Sequence, residues 1–253
     1  EIVRPVHSPA HRDTPVSCRD CRQRCDCLPG ELDSADVERL DSIVKHRRHL
    51  PHGAYLYRAG SRFGSLFVIR SGCLKTVLTR PDGRFQVTGF YLPGELFGLD
   101  GLVSGRYECD AIALDCEACE LPFTQMERLA SEIQLSQRHL HCLMSAEIVR
   151  DQGSMLLLGR MRADERVAMF LLNLAKRHGT GGFSARQFQL PMSRADIGSY
   201  LGLTLETVCR ALSQFRRAGL VCAGGKDVEI LDFAGLRAVI GAEDDDLTDR
   251  HDA

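Results

Sequence analysis

The stretch Met192-Ser-Arg-Ala-Asp-Ile-Gly-Ser-Tyr-Leu-Gly-Leu-Thr-Leu-Glu-Thr-Val-Cys-Arg-Ala-Leu-Ser-Gln-Phe215 decides the fold of this chain. Ser193, followed three residues later by Asp196, has the pattern of a helix start at which each side chain caps the other's backbone N–H. Gly202 breaks the helical spacing within a short turn, and Thr204 is placed to cap a second helix. Ile197, Leu201, Leu203, Val208 and Leu212 supply a small core between the two. Two short helices closed around a glycine turn make a helix-turn-helix. Just beyond, Val221 to Leu231 carries Ala223-Gly224-Gly225-Lys226 at its centre and reads as a β-hairpin. The C-terminal unit is therefore expected to be a winged helix-turn-helix.

Upstream of it, Asp164 to His178 reads as a helix that ends in Lys176, Arg177 and His178 before Gly179, with cations at the end where the helix dipole favours them. Before that lies a longer helical stretch, Ile133 to Leu158. In it Leu140, Met144, Ile148, Asp151, Met155 and Leu158 recur at steps of four, four, three, four and three. Such a heptad-like seam pairs two helices. Packing against the protein's own body is the plainer use of it; the length of the helix favours pairing with a second copy. In a parallel pair Asp151 would face its own copy, and two close carboxylates repel unless one is protonated or otherwise paired.

From Pro51 to Pro122 the texture is different. Short β-rich segments (Tyr55–Tyr57, Leu66–Ile69, Leu74–Leu78, Gln86–Tyr91, Ile112–Leu114, Ala118–Leu121) alternate with turn signals at Gly60, Ser71-Gly72, Pro81-Asp82-Gly83 and Pro93-Gly94. That rhythm predicts an antiparallel roll of the jelly-roll kind. Asp33 to His46 precedes it as a short amphipathic helix through Val37, Leu40, Ile43 and Val44. The expected class is α+β: a cysteine-rich segment (1–30), a β-roll (31–132), a dimerisation helix (133–159), a winged helix-turn-helix (160–241) and an acidic, disordered tail (242–253).

Composition narrows the functional classes. The chain has 253 residues, 44% of them hydrophobic, and a formal charge of −2. No apolar run approaches the ~20 residues of a membrane span, and no apolar leader precedes the first polar segment, so a cytoplasmic protein without membrane contact is expected. Residues 160–240 hold 12 Lys/Arg against 7 Asp/Glu, a formal +5. A basic C-terminal half on a more acidic N-terminal half suits a DNA-binding module attached to a sensor. No Gly-rich phosphate loop, nucleophile elbow or clustered His/carboxylate site is present, so no enzyme is expected.

Four of the eleven cysteines fall within ten residues: Cys18, Cys21, Cys25 and Cys27, interleaved with Arg19, Arg22 and Arg24. Thiolates at this spacing can converge on one soft metal ion or cluster, and neighbouring cations favour the deprotonated sulfur. With no histidine among them, zinc and iron–sulfur are the leading candidates and a disulfide knot the third. Reducing cytosol argues against pairing all eleven. Cys73, Cys109, Cys142 and Cys222 have no partner at ligand spacing and read as small buried hydrophobes.

A β-roll, a long dimer helix and a winged helix-turn-helix, in that order, resemble the layout of the CRP–FNR regulators, and within them the FNR-type oxygen-responsive branch. The similarity runs from about Cys18 to Gly241 and includes Tyr57-Arg-Ala-Gly60, Ile69-Arg-Ser-Gly72, Cys119-Glu-Leu-Pro-Phe123 and Ile197-Gly-Ser-Tyr-Leu-Gly-Leu-Thr204. The resemblance implies a C-x₂-C-x₅-C array at Cys18, Cys21 and Cys27 with a distant fourth ligand at Cys119, together holding a [4Fe–4S] cluster. Cys25 lies outside that pattern, and Cys116 stands three residues before Cys119. The branch's Glu-x-x-Ser-Arg recognition motif corresponds to Glu206-Thr-Val-Cys209-Arg210, with Cys209 in place of serine. The same resemblance implies a homodimeric regulator, mainly an activator, of anaerobic gene expression. It would bind palindromic double-stranded DNA with TTGAT-like half-sites and work with RNA polymerase. Cyclic nucleotide binding, the other use of this roll, wants an Arg beside a small hydroxyl residue; here Arg106 is followed by Tyr107, Glu108 and Asp110.

Overall fold

The computed structural model describes residues 17–18, 21, 34–44, 46–80, 82–132, 138, 141–142, 144–149, 152–153, 159 and 161–241. Helix α1 (Ser34–Ile43) turns its apolar stripe inward through Val37 and Leu40. The roll follows: β1 (His46–Leu50), β2 (Tyr55–Tyr57), β3 (Ser65–Thr79), β4 (Phe85–Tyr91), β5 (Leu96–Phe97) and β6 (Asp110–Pro122), closed by helix α2 (Phe123–Glu132). All pairings are antiparallel, in the order β1-β6-β3-β4, with β2 on β6 and β5 on β3.

The spine of the roll is one long pair, β3 on β6, where the sequence suggested four short strands. Ser71-Gly72 is a bulge instead of a turn: the register shifts between Ile69 and Ser71 and again between Gly72 and Leu74, and the ladder continues on both sides. Gly72 has φ +77°, and a Cβ there would collide with the carbonyl of Asp115. Asp115 itself is the one non-glycine residue with positive φ among the described residues. A bulge accommodates the extra residue by bending and twisting the strand, so the chain curls without ending it.

The two faces of this sheet bury different things. Inside the roll, Tyr57, Phe67, Ile69, Leu74, Phe97 and Tyr107 form a closed cluster. On the other side Cys73, Val77, Val87, Phe90 and Leu92 join a core that runs without a break into the C-terminal unit. That unit consists of α3 (Ala163–Thr180), β7 (Gln187–Gln189), α4 (Arg194–Leu201), α5 (Leu205–Arg217), β8 (Val221–Gly224), β9 (Asp227–Ile230) and α6 (Phe233–Val239). Strands β7, β9 and β8 make the wing sheet. Residues 144–149 are helical, and Tyr91 of β4 donates a hydrogen bond from its hydroxyl to Glu147 Oε1 at 2.7 Å. No helix among the described residues is long and apolar enough to cross a membrane.

Candidate functional site

Helix α4 starts as the sequence predicts. Asp196 N–H donates to Ser193 Oγ at 3.0 Å, and Ser193 N–H donates back to Asp196 Oδ2 at 3.0 Å. It ends at Gly202 in the left-handed conformation (φ 64°), with Leu203 N–H donating to the Gly198 carbonyl at 2.8 Å. A side chain at Gly198 would press on the Leu203 carbonyl at 2.7 Å, so the close turn requires glycine there. Thr204 then caps α5 by accepting from Thr207 N–H at 3.2 Å.

Helix α5 is sharply two-sided. Val208, Ala211, Leu212 and Phe215 are buried, while Glu206, Cys209, Arg210, Ser213 and Arg217 recur at helical spacing on the exposed face. Arg210 is exposed, donates to Thr207 Oγ1 at 3.4 Å and forms no ion pair with Glu206. The Glu206 carboxyl is held below its ordinary range by its own backbone N–H and by the Thr204 hydroxyl. A convex helix with an acceptor and a fork-shaped donor four residues apart is suited to reading base edges in a major groove. The wing is tied to this unit by Arg194, which donates to the Gly225 carbonyl at 3.0 Å. Sequence reading missed that strut, because an arginine just inside a helix start carries no sign of its partner in a distant turn.

Two substitutions separate readout from general attraction. Arg210→Ala should remove about 1–3 kcal/mol of discrimination at one base pair. Lys226→Ala, in the exposed wing turn, should weaken binding to all duplexes alike. Competition binding with single-base variants measures both; an unchanged specific-to-nonspecific ratio in Arg210→Ala would mean that the helix register is wrong.

None of the nine described cysteines is in a disulfide. Cys18 is half-buried near Val37, Leu40 and Leu129, and its N–H donates to Asp41 Oδ1 at 2.8 Å. Cys21 N–H donates to the Cys18 carbonyl at 3.4 Å, and its side chain lines a cleft with Arg70, Glu117 and His178. Cys119 lies on β6 between Arg47 of β1 and Val68 of β3 and is half-buried. Cys116, an odd number of residues away, points to the opposite face, into the roll interior. Burial, then the carboxylates of Asp115 and Glu117, push its thiol up to about 12.

Cys25 and Cys27 fall outside the described residues, and among those described no three His, Cys, Asp or Glu side chains group as metal ligands. Cys73 and Cys109 are buried as expected, whereas Cys142 and Cys222 are exposed. Cys222 alternates outward on β8, a wing strand with only one covered face.

The roll interior is filled with rings. Tyr57 stacks on Tyr107 at 3.8 Å, and Phe67 lies 5.5 Å from Phe97. Glu95, the acid in the loop before β5, has both oxygens engaged by Arg177 of α3, at 2.7 and 2.6 Å. Arg106 turns away and donates to the Gly60 carbonyl at 2.6 Å.

A family model of the Crp-like helix-turn-helix domain matches residues 165–239, and one of the cyclic nucleotide-binding domain matches residues 47–132. The transcriptional activator protein anr of Pseudomonas aeruginosa is 47% identical over 227 residues, which cover 89% of this chain and 93% of that protein. The fumarate and nitrate reduction regulatory protein of Salmonella typhimurium is 38% identical over 227 residues, covering 89% and 91%. Among solved structures, FixK2 from Bradyrhizobium japonicum aligns with a TM-score of 0.70 and 32% identity over 78% of this chain and 98% of that one. These sequence relatives are transcription regulators, not enzymes.

Proposed function

This chain belongs to the CRP–FNR family of DNA-binding transcription regulators, in its FNR-type branch, and from that premise we propose that it activates anaerobic genes under the control of an oxygen-labile [4Fe–4S] cluster. The carrying observation is the contrast among its thiols. Cys18, Cys21 and Cys119 are half-buried, whereas Cys116 is buried with its thiol pushed up to about 12. Cluster iron takes thiolates, and a sulfur that resists ionisation inside an apolar core is a poor donor. Cys119 therefore suits the fourth position better than Cys116 does, and the C-x₂-C-x₅-C spacing supplies Cys27 as the third ligand of the N-terminal segment.

When bound, such a cluster supplies reactivity toward oxygen. The chain's own part is to hold three thiolates on the N-terminal segment and one on β6, so that segment and roll are tied together only while all four ligate. Arg19, Arg22 and Arg24 offset the negative charge of the thiolates. A cyclic nucleotide is disfavoured as effector, since aromatic rings fill the roll and Arg177 already engages Glu95.

The switch works through dimerisation along Leu140, Met144, Ile148, Asp151 and Met155. Within the single chain Ile148 is 57% exposed, an apolar side chain without cover; Leu140, Asp151 and Met155 lie outside the described residues. The dimer binds a palindrome of TTGAT-like half-sites through Glu206, Cys209 and Arg210, and recruits RNA polymerase in the cytoplasm. Cys209 in place of serine offers a weaker donor. The self-facing Asp151 keeps the dimer marginal, so a small cluster-dependent bias decides the equilibrium. Asp151→Ala should therefore sediment as a dimer in air, without iron, at a concentration where the cluster-free parent is a monomer. Two monomers, or two equally stable dimers, would refute this switch.

A further inference from the structure

The roll holds the helix-turn-helix by the first turn of α4. Lys75 of β3 donates from Nζ to Asp196 Oδ1 at 2.5 Å, with side chains 16% and 11% exposed. The other oxygen of Asp196 accepts from Ser193 N–H at 3.0 Å and from Ser193 Oγ at 2.8 Å, so the residue that caps α4 is also the one the roll grips. At the far end of α4, Val87 N–H of β4 donates to Ser199 Oγ at 3.0 Å, and Gln86 donates to the Ser199 carbonyl. Next to Ser199, Tyr200 packs edge-on against Phe90 at 5.3 Å. Helix α4 is thus fixed at both ends by strands of the roll.

A shift of α4 cannot be absorbed before α5. The turn between them is closed over Gly198, and Arg166 donates to the Leu201 carbonyl at 2.9 Å. We propose that Lys75 is a positioning residue for DNA readout, setting from the roll the angle at which α5 presents Glu206 and Arg210. This rests on the reading of α5 as the helix that meets bases. A buried ion pair adds little net stability over an apolar pair of the same volume, but it fixes one geometry where apolar packing tolerates several. Lys75 also shares β3 with Val68, the neighbour of Cys119 across the ladder. The strand that touches one proposed cluster ligand is therefore the strand that holds the reading head.

The test uses full-length protein purified without oxygen. Lys75→Met, Lys75→Arg, Asp196→Asn and the double variant Lys75→Met/Asp196→Asn are compared for binding to a TTGAT palindrome and to an unrelated duplex, with melting temperature and sedimentation alongside. Lys75→Met should lose roughly 10-fold or more in specific affinity and far less on the unrelated duplex. Lys75→Arg should restore most of the loss, and the double variant should be no worse than Lys75→Met. If Lys75→Met does not fold, Asp196→Asn, which keeps an acceptor for the Ser193 cap, carries the same comparison. An unchanged specific-to-nonspecific ratio, or equal losses on both duplexes, overturns the positioning role. A wild-type protein with no preference for the palindrome contradicts the reading of α5 itself, and the proposal with it.

Discussion

Glu95→Leu should melt about 10 °C below the parent protein, because it strands a buried guanidinium. Arg177 and Glu95 are each only 16% exposed at the side chain, and two hydrogen bonds join them across the boundary between roll and winged unit. Burial alone would lower the arginine's pKa, but the carboxylate of Glu95 outweighs it and holds the charge in place. Glu95 also accepts from Leu92 N–H at 2.8 Å, so the substitution leaves a second donor without its acceptor. Breaking one side of a buried pair costs about 3–5 kcal/mol, and in a protein of this size each kcal/mol moves the midpoint by roughly 2–4 °C. Replacing both members, as Glu95→Leu/Arg177→Met, removes the stranded charge and should recover most of the loss. Thermal unfolding followed by circular dichroism decides it. A single variant as stable as the parent would mean that Arg177 finds solvent or another acceptor, and that the boundary is looser than it looks.

Cys119→Ser should abolish bound iron and sulfide, while Cys116→Ser keeps nearly all of both. The two cysteines are three residues apart on β6, and strand alternation sends one outward and the other into the apolar interior. A serine at Cys116 would disturb packing among Ile69, Leu74 and Ala118 but take no ligand away. Cys25→Ser should likewise retain the cluster, since Cys18, Cys21 and Cys27 already satisfy the spacing. Iron and sulfide analysis of anaerobically purified variants reads the outcome directly. Full iron and sulfide in Cys119→Ser would remove that residue from the ligand set and point to Cys116.

Much of this molecule could be read from its residues wherever the determining interactions are local. Ser193, Asp196, Gly202 and Thr204 act within a few positions of themselves, and both caps and the turn formed as their types dictate. The wing hairpin, with its Gly224-Gly225 turn, behaved the same way. The roll was legible as a roll but not as to its strands. A glycine at Ser71-Gly72 signals a turn locally, and only its pairing with Glu117 and Cys116 of β6 makes it a bulge within one long strand. Strand β1 was hidden because His46-Arg-Arg-His49 has no apolar alternation; its place is set by pairing with β6. Helix α2, which packs Leu129 against Val37 and Leu40, was missed for a related reason: its partner helix lies far away in sequence.

The site divides along the same line. The exposed face of α5 follows from helical spacing alone. The contacts that hold that face in place join Lys75 to Asp196 and Arg177 to Glu95, across separations of 121 and 82 residues. No spacing rule connects such pairs, because the connection is made by the fold. For the thiols, spacing singled out Cys18, Cys21, Cys25 and Cys27 but left Cys116 beside Cys119, which only the resemblance named; the pleat of β6 puts those two on opposite faces.

The oxygen switch is tested most directly by following iron, sulfide, visible absorption and DNA affinity together on protein purified without oxygen, before and after a measured exposure to air. The expected result is a coloured protein with about four iron and four sulfide per chain that binds the palindrome specifically. On exposure to air, its absorption and its specific affinity should fall together. A colourless protein holding zinc, or DNA affinity that is the same before and after air, would contradict it.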